Sequence, residues 1–264
     1  MPLVWLLSHR IGDVMTALER IEGAAAILAA AHNNGEEIEN LPSDLVTSIA
    51  DAYAVQERVV ELLETEVAGW KVGFDAQNEI IYAPILGRLT RKGGAELPVT
   101  RDAPSAIEVE IAFILDEDVP AGQPVADAAE IVSTIALGME VIQSRFRDRK
   151  AQPFLSSLAD NLSNGAYYLS VSTPWTSAPD LDGLHLTVMR DGVTIWGQTV
   201  AHPQGDIAMP MRAMLAEPPS HCGGLKRGQF ITTGTLCGAI EVPVPCAIAA
   251  MTVIGPLAAK LTPR

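Results

Sequence analysis

The sequence predicts an α+β protein whose helices come first and whose strands follow. Small and apolar residues recur at helical spacing from Asp13 to His32, and again from Pro42-Ser43-Asp44 to about Thr65. After Gly69 the texture changes to short β-like runs broken by glycine and proline. Strands and helices do not alternate regularly, and no GxGxxG or GxxxxGKS loop occurs, which argues against a Rossmann or P-loop nucleotide site. The expected organisation is a helical segment over residues 1–65 packed on a β-rich domain over 66–264.

Each element has its own signal. The first helix takes Asp13 as N-cap, carries Ala24, Ala25, Ile27, Leu28 and Ala31, and stops at Asn33-Asn34-Gly35. The second is capped by Ser43 or Asp44 and presents Ala52, Val55, Val59 and Leu62. Strands are expected at Trp70 to Phe74, Ile107 to Leu115, Ala166 to Val171, Leu184 to Arg190, Phe230 to Thr233 and Ile248 to Ile254. Further helices are expected from Ala126 to about Ala136 and, after Pro203, from Gln204 to Leu215. The apolar stretch Cys246 to Ala259 is shorter than a bilayer span and carries Pro256, so it reads as a strand and a turn.

Composition narrows the function. A chain of 264 residues buries a substantial core without a covalent staple. Cys222, Cys237 and Cys246 form no CxxC or Cys/His pattern, so neither a disulfide framework nor a zinc site is indicated. The formal charge of -14 disfavours nucleic acid and anionic membrane as partners. Val4 to Leu7 is too short for a secretory signal and has no basic residues before it, so a cytoplasmic location is expected. An apolar content of 48% points to surface shared between copies, and a homo-oligomer is expected.

The chemistry centres on acids. In Ile107-Glu-Val-Glu-Ile-Ala-Phe113 the strand period puts Glu108 and Glu110 on one face, where they repel unless a cation lies between them. Read alone, a solvated face is the commoner explanation of that pattern. Glu140 stands in an apolar run, where pairing with Arg145 or Arg147 is the ordinary explanation. Three carboxylates without His or Cys suit a hard cation, Mg²⁺ or Mn²⁺. His202 and Ser220-His221-Cys222 lack a nucleophile-elbow or HExxH setting and read as loop or cap residues.

Six motifs occur together in order: Asp51-Ala-Tyr-Ala-Val-Gln56, Gly69-Trp-Lys-Val-Gly73, Ile107 to Phe113, Glu140-Val-Ile-Gln-Ser-Arg145, Ala159-Asp-Asn-Leu-Ser-Asn-Gly165 and Leu225 to Leu236. With them the chain resembles the 2-keto-4-pentenoate hydratase family, the hydratase/decarboxylase branch of the fumarylacetoacetate hydrolase superfamily. The resemblance covers roughly Ile21 to Val242. It implies a β-rich fold of the superfamily's C-terminal type, a mixed β-sandwich or roll. It implies a metal held by Glu108, Glu110 and Glu140, and catalytic roles for Lys71 and Asp160. Desolvation is expected to lower the Lys71 pKa toward neutrality. Asn161, Ser163 and Thr235 are implied as substrate-binding; taken alone, 160–163 is a polar turn and 232–236 a glycine turn.

The activity so implied is that of a lyase on a small 2-oxo acid, working through a metal-stabilised enolate, as in 2-keto-4-pentenoate hydratase. The superfamily also contains 2-oxo acid decarboxylases and acylpyruvate hydrolases, and its members can form complexes with a related decarboxylase or hydratase. The chain departs from the pattern at two places. Phe74 to Gly87 lacks the usual acid before a Phe-Gly pair, with only Asp75 and Glu79 nearby, and Val242-Pro-Val-Pro-Cys246 replaces a Pro-Gly-Asp turn. The first departure leaves room for a metal-binding subunit without turnover.

Overall fold

The computed structural model describes residues 15–99, 105–175, 181, 183–200, 202 and 204–263. Helix α1 spans Ala17–Asn34 and α2 spans Ile49–Leu62. The expected cap Asp13 lies outside the described residues; Thr16 caps α1 in a capping box with Glu19, and Gly35 ends it at φ 71. Helix α2 starts later than Ser43 or Asp44 suggested, because Ser48 is the residue whose hydroxyl accepts from the Asp51 amide. Ala24, Ala25 and Leu28 pack with Ala52, Val55 and Val59, and this layer rests on Ile81, Leu86, Phe146 and Leu158.

The strands follow: β1 Val67–Phe74, β2 Ile80–Leu86, β3 Thr90–Lys92, β4 Glu96–Val99, β5 Ser105–Leu115, β6 Val132–Ile142, β7 Asn164–Leu169 and β8 Thr173–Pro174. After them come β9 His185–Arg190, β10 Val193–Thr199, β11 Phe230–Thr232, β12 Ile240–Val242, β13 Cys246–Thr252 and β14 Gly255–Pro263. The expected helix from Ala126 to Ala136 is corrected to a short turn of helix at Ala128–Glu130 and then the strand β6. The physical reason is that β6 is buried on both faces, so its apolar residues run on without alternation and mimic a helical stretch. Helix α3 is Phe154–Ala159, and α4 is Met209–Ala216, starting later than Gln204; Pro203 lies outside the described residues. The stretch read as strand plus turn is the hairpin β13–β14.

Two sheets result. The larger runs β2-β1-β11-β5-β6-β7-β3, with β12 on β5 and β8 on β6, and the smaller runs β10-β9-β13-β14-β4. The larger sheet curls on itself: Ile85 of β2, Ala112 of β5, Ala136 of β6, Tyr167 of β7 and Phe230 of β11 form one interior cluster. Its outer face sends Ile107, Val109, Ile111 and Phe113 into the main core with Leu186, Val188, Ile248 and Leu257 of the smaller sheet. Strand alternation therefore turns Glu108 and Glu110 inward, into the roll. At Gly69 a Cβ would stand 2.7 Å from the Phe230 ring, so this glycine admits the ring rather than a ligand.

Candidate metal centre

The site is made by register. On β5 and β6, Glu108 pairs with Glu140 and Glu110 with Gly138, so three carboxylates share one interior patch. One oxygen from each lies within 4.8 Å of the others. Glu110 and Glu140 are fully buried. Burial first, and Glu140 next, push the Glu110 carboxyl up to about 8. Burial likewise raises Glu108. The solvated-face reading of this strand does not hold.

Lys71 enters from β1, where it pairs with Thr232 of β11. Its Nζ lies 2.9 Å from Glu140 Oε1 and 2.7 Å from Oε2, and also donates to the Leu162 carbonyl at 3.3 Å. Glu140 is thus paired with Lys71 and not with Arg145 or Arg147. The expected lowering of the Lys71 pKa is corrected as well. Burial acts in that direction, but Glu140, Glu110 and Glu108 outweigh it and hold the ammonium above the ordinary lysine value.

Neighbouring groups orient the acids. The Tyr167 hydroxyl is 3.2 Å from Glu110 Oε2 and 2.9 Å from Thr232 Oγ1, and the Thr232 hydroxyl donates to the same Glu110 oxygen. Asn164 Nδ2 donates to Glu140 Oε1 at 3.0 Å. Gly138 makes room: a Cβ there would fall 2.0 Å from the Tyr167 oxygen. Asn161, Leu162 and Ser163 run at φ 49, 50 and 64, a left-handed stretch that turns the Leu162 carbonyl onto Lys71. Asn164, Tyr167 and Thr232 escaped the sequence reading, because their roles come from pairing across strands. Asn164 and Thr232 lie within motifs already singled out, and that was their one signal.

The donor set fits a hard divalent cation. Glu110 Oε1 is buried with no hydrogen-bond partner, and so are Asn161 Oδ1 and Asn164 Oδ1. Three acids converge where one ammonium balances one of them, and among the described residues no His or Cys joins the cluster. Glu108, Glu110 and Glu140 are the residues that would hold the ion.

Other expected residues stand elsewhere in the arrangement. Asp160, expected as a catalytic group, is buried in an ion pair with Arg145; its second oxygen accepts from Ser144 Oγ at 2.8 Å and the Arg145 amide at 3.1 Å. Arg145 also donates to the Asn164 and Asp160 carbonyls, at 2.7 and 2.8 Å, so the pair fastens the 161–164 turn. Ser163 takes part through its backbone, its carbonyl accepting from Gln143. The Thr235 hydroxyl donates to the Gly238 carbonyl at 3.1 Å and accepts from the Cys237 amide at 3.3 Å, within its own turn. Asp75 caps a hairpin through Gln77 and Glu79. His202 is 2.8 Å from the Thr233 carbonyl. His221 stands in the loop between α4 and β11, as expected, and is buried there: it stacks on Tyr53 and sits 2.9 Å from Gln56 Oε1.

Comparison with known proteins agrees with this architecture. The fumarylacetoacetate (FAA) hydrolase C-terminal family matches residues 86–256. The chain belongs to that family. It is 30% identical over 241 residues to a 2-keto-4-pentenoate hydratase of Paraburkholderia xenovorans (strain LB400), covering 84% of this chain and 87% of that protein. It is 25% identical over 238 residues to a 4-oxalocrotonate decarboxylase of a Pseudomonas species, covering 84% and 90%. Its fold is similar to that of the 4-oxalocrotonate decarboxylase from Pseudomonas putida G7 complexed with magnesium and adipate, with TM-score 0.78, 20% identity, and coverage of 95% and 100%. The chain is thus an enzyme of a hydratase and decarboxylase group. Among the described residues, no helix is long and apolar enough to cross a membrane.

Proposed function

We propose that the chain is a Mg²⁺- or Mn²⁺-dependent lyase acting on a small 2-oxo acid, with chemistry like that of 2-keto-4-pentenoate hydratase. The observation that carries this is the buried triad Glu108, Glu110 and Glu140 with Lys71 against it and a bare Glu110 oxygen inside it. Bound there, the cation would supply a Lewis acid for the 2-oxo and carboxylate oxygens and so lower the free energy of an enolate. Lys71 is the proton-transferring group and a charge partner for the anion, since Nζ reaches the triad from β1, across β11. Tyr167, Thr232 and Asn164 fix the carboxylate orientations, and Asp160, through Arg145, acts as a positioning residue for the turn that meets Lys71. Asn161, with an unpartnered buried carbonyl oxygen, is a candidate to contact substrate. We also propose a cytoplasmic homo-oligomer, supported by free thiols at all three cysteines and by the apolar composition.

A second reading, decarboxylation, is favoured by Asp75, one carboxylate oxygen of which accepts from the Gln77 and Glu79 amides, so that this acid serves its own hairpin. The test is a panel of 2-oxo acids with Mg²⁺, followed for hydration, decarboxylation and cleavage products. Turnover of at least one acid that stops on chelation is the expected result. Mg²⁺ binding without any turnover would favour a metal-binding subunit.

A further inference from the structure

The smaller sheet turns Leu186, Val188, Ile248 and Leu257 into the main core and its other face outward. The outward face of such an antiparallel sheet is ordinarily polar, since water is its neighbour. This one is not. Thr187, Met251 and Pro256 form one row across three strands, and Met189, Ala249 and Ala258 form the next. Met251 is 48% exposed, and Val253, 70% exposed, prolongs the apolar surface at the β13–β14 turn. Between the turns, the described outward positions of β9, β10, β13 and β14 carry one charged side chain, Lys260, and it pairs with Glu96 of β4. The face also has relief. Where the side chains are short, at Gly94, Ala247, Ala249 and Ala258, a hollow of about 300 Å³ opens. Met251 and Pro256 stand beside it as a ridge, one pleat repeat, about 7 Å, from the Ala249 and Ala258 row.

We propose that this face is the contact between two copies of the chain, packed sheet on sheet about a two-fold axis that passes between ridge and hollow. Such an axis seats the ridge of each copy in the hollow of the other. Charge selects the place. Two chains of formal charge -14 repel wherever acidic surfaces meet, and the described residues of this face bring Lys260 and Glu96 to the contact already neutralised. Area is sufficient. Five strands spaced by about 4.8 Å, with about seven residues at about 3.3 Å each, present about 500 Å² per copy. The pair then buries about 1,000 Å², the lower bound for a specific interface. The assignment rests on the homo-oligomer reading above and gives it a surface.

The test is the mass of the full chain in light scattering at micromolar concentration. The parent is expected as a dimer or a multiple of one. Ala258→Arg puts an unpaired charge in the hollow and Met251→Lys puts one on the ridge; each should lower the mass by about half or more, because a charge at the centre of a contact is buried without a partner. Both positions face outward, so far-UV circular dichroism should stay that of the parent, and the variant that keeps that spectrum is the one read. Leu18→Arg, at a 68% exposed position on α1, should leave the mass unchanged. A parent of one-chain mass overturns this face and the homo-oligomer reading together. A folded Ala258→Arg or Met251→Lys variant that keeps the parent mass, or an oligomer broken by Leu18→Arg alone, overturns the face and leaves the homo-oligomer standing.

Discussion

Two buried cation–carboxylate pairs among the described residues are built in opposite ways. Around Arg145 and Asp160 the groups are matched: the guanidinium meets Asp160 and two carbonyls, and the carboxylate meets Arg145, Ser144 and a backbone amide. Around Lys71 and Glu140 they are not. Two further carboxylates crowd one ammonium, and Glu110 Oε1 has no partner at all. Burial of charge is costly unless it is paired and hydrogen-bonded, so a complete network can serve as scaffold, whereas an incomplete one in the same interior calls for a ligand.

The largest effect expected from this contrast is catalytic. Lys71→Met should lower turnover of a 2-oxo acid identified in the panel by about 10² to 10⁴ while leaving Mg²⁺ affinity nearly unchanged. Full activity in that variant would make Lys71 a mere counter-ion. On the scaffold side, Arg145→Met should cost about 3–5 kcal/mol, because Asp160 is left buried without its partner. Urea unfolding reads that loss. The sharper comparison is recovery: saturating Mg²⁺ should raise the Tm of Lys71→Met, since the ion replaces the missing positive charge, and should leave the deficit of Arg145→Met in place.

The contrast also separates what the sequence discloses from what it hides. Glu108 and Glu110 are legible because a strand repeats every two residues, so two acids spaced by one must share a face. Which face is not legible. Both faces of β5 are buried, one in the roll and one against the smaller sheet, and local pattern cannot tell burial from exposure when the neighbours are apolar in either case. The same double burial made the start of β6 look helical. The Glu108 and Glu140 pairing joins positions 32 residues apart, and Tyr167 and Thr232 reach Glu110 from 57 and 122 residues away. Such contacts follow from topology. Asp160 shows the reverse problem: its motif marks it as important, and the structure gives that importance a scaffold form through Arg145.

Acid stability extends the comparison to a neutral buried pair. His221 lies between Gln56 and Tyr53, and burial depresses its pKa to about 4. The unfolded chain, with a histidine near about 6.5, takes up the proton first as pH falls. The contribution of His221 is therefore whole above about pH 6.5 and is lost as pH drops toward the folded value, by up to about 3 kcal/mol. His221→Phe, which keeps the ring stack, should flatten the fall in stability between those limits; an unchanged slope would assign the acid sensitivity to other groups. A smaller effect is expected at Tyr167→Phe, which removes one of the two hydroxyls on Glu110 Oε2. Loss of such an orienting bond costs about 10- to 100-fold in metal affinity, with little change in folding stability.

The central claim is that the unmatched network is a metal site, and a titration with Mn²⁺ addresses it most directly. Calorimetry should find one ion per chain for the parent protein. Glu110→Gln, which removes the charge of the acid carrying the bare oxygen, should weaken binding by more than the about 100-fold that an outer partner costs. Should Glu110→Gln bind Mn²⁺ as tightly as the parent, the three acids would not be its ligands.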